Sequence, residues 1–214
     1  MVFNKLPTYS LFVRKPIKSI AELKGQKVAS STNGASATKV LRSALKEAGL
    51  DPEKDVNIFY IGDTPTRFQS VLSGAVAGAV LISPFDVAAL GEPSLVSLPF
   101  ANSPGVLMAG AAAHTSFLKD RPDVARRFLQ ATQEGLRYFN ENRAESIKMM
   151  VKHLKIDEAA ATKTYDMWID RFTKDGSLDD DFVKQVLNFE FGKSTPEMVK
   201  KAFDFSIVKS LAKN

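Results

Sequence analysis

Short apolar runs alternate with helical patterns between residues 27 and 98, and this alternation constrains the fold more than any other feature of the chain. Runs bounded by turn residues are typical of strands, and they lie at 27–30, 56–60, 78–82 and 95–98. Between the first two runs, apolar residues recur every three or four positions from Ala37 to Ala48, as in an amphipathic helix followed by Gly49. Connections this short predict right-handed βαβ units, and therefore an α/β fold with a parallel, doubly wound sheet.

Two further helices are predicted in the same region. One begins with Thr64 as its N-cap, is followed by proline, and ends at Gly74. The other is short, opens with Ser83 and Pro84, and ends at Gly91. Strands and helices therefore alternate as far as about residue 100.

Beyond residue 114 the pattern is helical throughout. The longest predicted helix begins at Pro122 and extends through Phe139. Further helices are predicted at 144–154, 157–172, 179–191 and 196–211. The acidic run 179–181 follows a glycine and lacks the glutamate of a calcium loop, so it indicates an acidic helix start.

Composition excludes several classes of protein. The chain contains no cysteine, which excludes disulfides, thiolate zinc sites and cysteine nucleophiles. Its uncharged apolar runs, such as 74–82 and 106–113, are far shorter than the roughly 20 residues of a membrane span. The net charge is +5, but acidic residues are interleaved with most basic ones, which indicates solvated helix faces and no nucleic-acid partner. Residues 1–10 show no signal-peptide pattern, so none is expected in this chain.

Two loops are candidates for a binding site, because each follows a strand and opens a helix. In open α/β sheets, ligands bind beyond the carboxyl ends of the strands, where the strand order reverses. A helix start there presents unpaired N–H groups that favour an anionic or polar ligand. The first loop supplies small and hydroxyl-bearing side chains, and the second supplies a turn with a carboxylate. Their residues are Ser31, Thr32, Asn33, Gly34, Ala35 and Ser36, and Ser83, Pro84, Phe85 and Asp86.

Capping is the alternative explanation of both loops. Ser, Thr and Asn are good N-caps, and a proline after a cap commonly starts a helix. Asp86 would stabilise the helix dipole from the first turn, whereas Arg67 is expected at the surface or facing a ligand. From the residues alone, both the capping and the binding interpretation stay open.

Motifs for other chemistry are missing from the sequence. The loop after the first predicted strand has one glycine and neither a dinucleotide fingerprint nor a P-loop, so no nucleotide cofactor is expected. His114 and His153 lie in no catalytic or zinc motif, and each is interpreted as a surface or capping residue. We therefore predict neither a metal site nor catalytic residues.

Residues 17–92 resemble the second lobe of type II periplasmic solute-binding proteins, in particular the group serving nitrate, sulfonate, taurine and thiamine-pyrimidine ABC transporters. The resemblance rests on "ELKGQKVA" and "GLDPEKDV" before two strands and on "SG" and "SP" at 73–74 and 83–84. It continues through "SPGVLMAG" at 103–110 and the helices after it.

The resemblance implies a non-catalytic protein that closes two lobes over a small, polar or anionic solute in the periplasm and presents it to an importer's membrane permease. Residues 23–102 would form the complete second lobe, with 1–22 and 103–214 as hinge strands and helices of a first lobe that lacks its N-terminal part. The hinge would lie near residues 8–12 and 102–105. Such a lobe would expose apolar surface, so self-association is expected.

Two other functions remain as alternatives. The same fold includes enzymes of thiamine-precursor metabolism, which depend on a histidine and on cysteines, and this chain has no cysteine. Similar lobes also serve as effector domains of transcription regulators, but the segment before residue 17 is too short for a helix-turn-helix. The identity of the solute does not follow from the sequence.

Overall fold

The computed structural model describes residues 1–100, 106–107 and 109–211. The chain divides into two compact units. We call Thr8–Ser103 with Ile156–Thr164 the sheet unit, and Met1–Pro7 with Pro104–Lys155 and Tyr165–Asn214 the helical unit. The lobe boundaries drawn from the sequence stay a prediction, and the hinge segment at 102–105 lies outside the described residues.

The sheet unit contains a mixed five-stranded sheet in the order β3-β2-β4-β1-β5. Its strands are β1 (Ser10–Arg14), β2 (Lys27–Ser30), β3 (Asn57–Tyr60), β4 (Gly78–Leu81) and β5 (Leu95–Leu98). The predicted parallel pairing holds for β2 with β3 and for β2 with β4. Strand β1, whose region the sequence predicts only to lie near the hinge, runs antiparallel between β4 and β5.

Helices cover both faces of this sheet, as expected for a doubly wound fold. They are α1 (Ser36–Glu47), α2 (Thr64–Ser73) and α3 (Phe85–Leu90). Side chains alternate along each strand, so Val28 and Val80 face α1, whereas Ala29 and Leu81 face α2 and α3. Burying one such aliphatic side chain contributes about 1.5–3 kcal/mol. The two apolar clusters therefore hold the loops at the strand ends in place.

The helix starts differ from prediction by one residue. Asp63, not Thr64, is the N-cap of α2, and its Oδ1 accepts a hydrogen bond of 2.8 Å from the backbone N–H of Thr66. The Ser83 hydroxyl does not cap α3, because Pro84 is the N-cap residue and has no side-chain donor or acceptor to contribute.

The helical unit contains most of the helices after residue 114. The helices after residue 114 are α4 (Thr115–Asp120), α5 (Pro122–Glu141), α6 (Arg143–Leu154), α7 (Glu158–Trp168), α8 (Asp180–Phe191), α9 (Pro196–Ala202) and α10 (Ser206–Leu211). The single helix predicted at 196–211 is wrong: Phe203 is extended and its ring stacks on that of Phe205, 5.5 Å away. Asp204 then accepts a bond of 2.9 Å from the N–H of Ser206, which starts a new helix. Asp179 caps α8, as the acidic run predicted.

None of the helices in the described parts of the chain is both long and apolar enough to cross a membrane.

Candidate functional site

The strand order reverses between β2 and β4. From β2 the chain crosses one face of the sheet through α1 to reach β3, and α2 returns over the opposite face to β4, on the other side of β2. Because β2 and β4 are parallel neighbours, the loops that follow them open at the same edge. This is the position at which open α/β sheets bind ligands. We call the loops at 31–36 and 82–86 the switch-point crevice.

The first loop leaves the start of α1 without a side-chain cap. Ala35 occupies the N-cap position and has no side chain that could accept a hydrogen bond from the first turn. Thr32, Asn33 and Gly34 are exposed, and Ser31 and Ser36 are half-buried. The capping explanation therefore does not account for the polar residues of this loop. The small and hydroxyl side chains border the first turn of α1, and a helix start favours an anion or a polar ligand group.

Two contacts hold this loop at its ends. At its base, the Thr38 hydroxyl lies 2.9 Å from Ser30 Oγ and 3.1 Å from the carbonyl oxygen of Ser31, all within the buried junction of β2 and α1. At its tip, Arg42 Nη2 donates to Asn33 Oδ1 at 3.1 Å and to the Tyr60 hydroxyl at 2.7 Å. The amide oxygen of Asn33 is thus engaged by the protein.

The second loop is built around a buried carboxylate. Asp86 is fully buried, and its oxygens accept hydrogen bonds from Ser83 Oγ at 2.8 Å, the N–H of Val87 at 2.8 Å and Ser10 Oγ at 3.3 Å. The Phe85 ring packs on Phe68 of α2 at 5.8 Å between centroids. Asp86 therefore ties the loop after β4 to the start of β1, a role that its position in the first turn did not reveal.

Arg67 is only 3% exposed, which contradicts the surface alternative and leaves the ligand-facing alternative as a prediction. Its Nε donates to the carbonyl oxygen of Val80 at 2.7 Å, and Nη1 donates to the carbonyl oxygens of Ile61 at 2.7 Å and Gly62 at 3.0 Å. Nη2 donates to Thr64 Oγ1 at 2.8 Å. Burial lowers the pKa of Arg67, and the nearby Asp63 carboxylate raises it in part. The sequence therefore did not reveal that this cation is buried.

Tyr9 is a second residue that the loop analysis missed. It directly precedes β1 at the same edge of the sheet and packs against the apolar cluster that contains Ala37. Burial raises the pKa of its phenol, whereas the charge of Arg67 and hydrogen bonding with Ser36 and with the backbone of Ala37 lower it. The phenol therefore lies beside the first turn of α1.

Neither histidine lies at this edge of the sheet. His114 is the N-cap of α4, where Nδ1 accepts from the N–H of Ser116 at 3.3 Å, as expected of a capping histidine. His153 lies in the last turn of α6. Both belong to the helical unit. The described residues include no cluster of His, Asp and Glu that could hold a metal ion.

The helical unit has a separate apolar groove of about 470 Å³. Phe117, Val124 and Phe128 line it from α4 and α5, and Phe203 lines it from the segment between α9 and α10. Phe117 is 41% exposed and Phe128 is 56% exposed. The groove therefore presents aromatic surface to solvent.

Comparison with known proteins gives one family and a set of similar folds. A family model described as NMT1/THI5 like matches residues 2–146. The periplasmic aliphatic sulphonate binding protein SsuA from Escherichia coli has a TM-score of 0.69 at 20% identity, and the match covers 88% of this chain and 62% of that one. This chain thus spans less than two thirds of the length of that protein. Comparison with curated protein sequences finds no match.

Two other solved structures cover nearly the whole chain. The alkanesulfonate-binding protein SsuA from Xanthomonas axonopodis pv. citri, bound to MOPS, has a TM-score of 0.69 at 17% identity and covers 98% of this chain and 72% of its own. The desulfurization enzyme DSZB has a TM-score of 0.66 at 13% identity, with coverages of 100% and 78%. The predicted fold, an α/β fold like that of type II periplasmic binding proteins, is confirmed.

Proposed function

This chain belongs to the NMT1/THI5-like family, and from that premise we propose that it binds a small polar or anionic solute without transforming it. In this proposal, Ser31–Ser36 and Ser83–Asp86 line the binding site. The solute is delivered to the membrane permease of an ABC-type importer, and binding takes place in the periplasm. Two similar folds are named as sulfonate-binding proteins, which supports a sulfonate-like anion as the first solute to test.

One observation carries the proposal: the strand order reverses beside a helix start whose N-cap residue, Ala35, has no capping side chain. The loops after β2 and β4 open at one edge of the sheet, and α1 presents N–H groups there. An anionic oxygen placed against such a helix start gains hydrogen bonds and the favourable end of the helix dipole. The hydroxyl groups of Ser31, Thr32 and Ser36 add further neutral donors beside it.

A thermal-shift screen tests solute binding directly. The panel contains alkanesulfonates, carboxylates, nitrate and neutral heterocycles, each added at increasing concentration. A solute at a hundred times its Kd stabilises the folded chain by about 2.7 kcal/mol, which corresponds to a shift of roughly 5–10 °C for a chain of this length. A flat response across every anion would contradict the proposed anion site.

Replacing Gly34 with valine tests the location of the site. A Cβ at Gly34 meets no atom within 4 Å, so the variant should fold normally while its side chain fills the mouth of the crevice. Gly135 is a matched control, because a Cβ there also meets no atom within 4 Å and it lies on α5 in the helical unit. We expect at least a tenfold loss of affinity (about 1.4 kcal/mol) for Gly34→Val and unchanged affinity for Gly135→Val. Equal affinity in both variants would mean that the loop serves only to connect β2 and α1.

Catalysis is not part of the proposal, although DSZB is an enzyme with a similar fold. The chain has no cysteine nucleophile to offer, and its two histidines belong to the helical unit, not to the crevice loops. Turnover is tested by incubating the protein with each solute that binds and by analysing the mixture for new products. Release of a product at a rate proportional to protein concentration would favour an enzymatic function over simple binding.

We also propose that a second copy of this chain covers the apolar groove of the helical unit. Exposed Phe117 and Phe128 leave apolar surface in water, which dimerisation would remove. Light scattering over a concentration series should show growing mass, and Phe128→Lys should abolish the growth. A clean monomer at all concentrations contradicts self-association and leaves solute binding untouched.

A further inference from the structure

The guanidinium of Arg67 spans the end of β2. Its acceptors lie on both sides of that strand: Val80 is on β4, and Ile61 follows β3. The N–H of Ile61 donates to the carbonyl oxygen of Ser30, the last residue of β2, at 2.8 Å. Arg67 is thus level with the point where the chain leaves the sheet and enters the loop at 31–36. Its charge lies at the base of the switch-point crevice.

Among the described residues, no carboxylate lies within salt-bridge distance of this cation. Its partners are three carbonyl oxygens and one hydroxyl, all of them neutral. Carbonyl dipoles satisfy the N–H groups, but they do not cancel a full positive charge. An arginine carries five N–H donors, and these four hydrogen bonds to described residues leave one of them, on Nη2, for another acceptor.

Neighbouring charges do not cancel the field of Arg67 at the crevice. Asp63 is exposed and caps α2, where water screens it. The Asp86 carboxylate lies between β4 and β1, where it accepts hydrogen bonds from two hydroxyl groups and one backbone N–H. Arg42, one of the other cations near the loop, is paired with Glu53. Arg67 is therefore a buried cation at this edge that no carboxylate of the described residues neutralises by direct pairing.

We infer that Arg67 is the specificity-determining residue of the crevice and makes it select an anionic head group over a neutral group of the same shape. This inference rests on the proposed function and narrows its solute class to anions. The start of α1 already favours an anion through its dipole, which is equivalent to about half a unit charge, and its N–H groups can also donate to a neutral oxygen. The buried charge of Arg67 adds an attraction that only the anion feels, in a low-dielectric setting where it is weakly screened.

The test compares two probes that differ mainly in charge, ethanesulfonate and ethanesulfonamide. Calorimetry at fixed ionic strength measures both affinities for the wild type, Arg67→Gln, Arg67→Lys and Arg42→Gln. We expect the wild type to prefer the sulfonate by about tenfold or more, and Arg67→Gln to lose that preference. Arg67→Lys keeps the charge but not the fork of donors, so it should retain the preference while binding both probes less tightly. Arg42→Gln should leave the ratio unchanged.

The outcomes separate this inference from the proposed function. Equal affinity of the wild type for both probes overturns the role of Arg67 and leaves solute binding intact, whereas binding of neither probe refutes both. An unchanged ratio in Arg67→Gln, or a lost preference in Arg42→Gln or Arg67→Lys, also overturns the inference. Circular dichroism establishes that each variant is folded. If Arg67→Gln does not fold, the inference is supported when both Arg67→Lys and Arg42→Gln retain the wild-type ratio of sulfonate to sulfonamide affinity.

Discussion

Replacing Thr38 with valine should destabilise the sheet unit by about 1–3 kcal/mol, because it leaves a buried hydroxyl of β2 without a partner. Thr38 Oγ1 lies 2.9 Å from Ser30 Oγ, and both side chains are 0% exposed. Valine has nearly the same shape as threonine, so packing changes little and the lost hydrogen bond dominates. The Ser30 hydroxyl has no other partner among the described residues.

The reverse change should cost less. In Ser30→Ala, the Thr38 hydroxyl can still donate to the carbonyl oxygen of Ser31, which lies 3.1 Å away. Removing both hydroxyls in the double variant leaves no orphaned group on β2, so its cost should fall below the sum of the single variants by about 1 kcal/mol. This coupling is the signature of a direct bond between Ser30 and Thr38.

Urea unfolding followed by far-UV circular dichroism measures these differences, as shifts in the midpoint at an unchanged m-value. Thr132→Val is the control, because Thr132 is half-buried on α5 and its hydroxyl makes only a solvent-exposed hydrogen bond to the carbonyl oxygen of Phe128, so its replacement should stay within about 0.5 kcal/mol of the wild type. Three results would refute the reasoning: a Thr38→Val variant as stable as the control, equal costs for both single variants, or an additive double variant.

Three further predictions follow from other contacts. Hydrogen bonds from the side chain and the backbone N–H of Thr66 lower the pKa of Asp63 below its ordinary 3.8. The stability that Asp63 contributes should therefore be complete above that value and be lost as the pH falls through the lowered pKa. Urea midpoints of Asp63→Asn measured against pH should lack this loss. The charge of Arg67 lowers the pKa of Tyr9, so Arg67→Gln should raise the pKa of Tyr9 further above 10.0. An ultraviolet titration measures this pKa, with Tyr9→Phe used to identify the phenol. An unchanged pKa in Arg67→Gln would contradict the prediction. Gly176 has a φ of +82°, and an added Cβ would lie 2.5 Å from the Met1 side chain. Gly176→Ala should therefore lower the free energy of unfolding by about 1–2 kcal/mol in the same urea assay. An unchanged midpoint would mean that the backbone relaxes.

Sequence reasoning located the two crevice loops because their signal is local. Each loop follows a short apolar run and precedes an amphipathic helix, and both properties lie within about a dozen residues of chain. The same locality explains why α5 and α8 were predicted to within a few residues. Which side chains of the loops point to a ligand stays a prediction.

The missed elements depend on partners far away in the chain. Ser10–Arg14 pairs with residues 78–81 and 95–98, and nothing near it in sequence determines that it runs antiparallel between them. The break between α9 and α10 similarly depends on a buried Phe205, which belongs to an apolar cluster with Val2 and Leu178. Helical periodicity alone favoured one continuous helix there.

The sequence by itself determined the α/β class, the alternation of strands and helices, and the position of the two loops, because hydrophobic periodicity and turn residues act over a few neighbours. Only the tertiary structure decided that Arg67 is buried at the end of β2 and that Asp86 joins the loop after β4 to β1. An arginine in the first turn of an amphipathic helix is normally exposed. It becomes a buried cation only where the ends of strands from distant parts of the chain bring their carbonyl oxygens together, as Ile61 and Val80 do around this guanidinium.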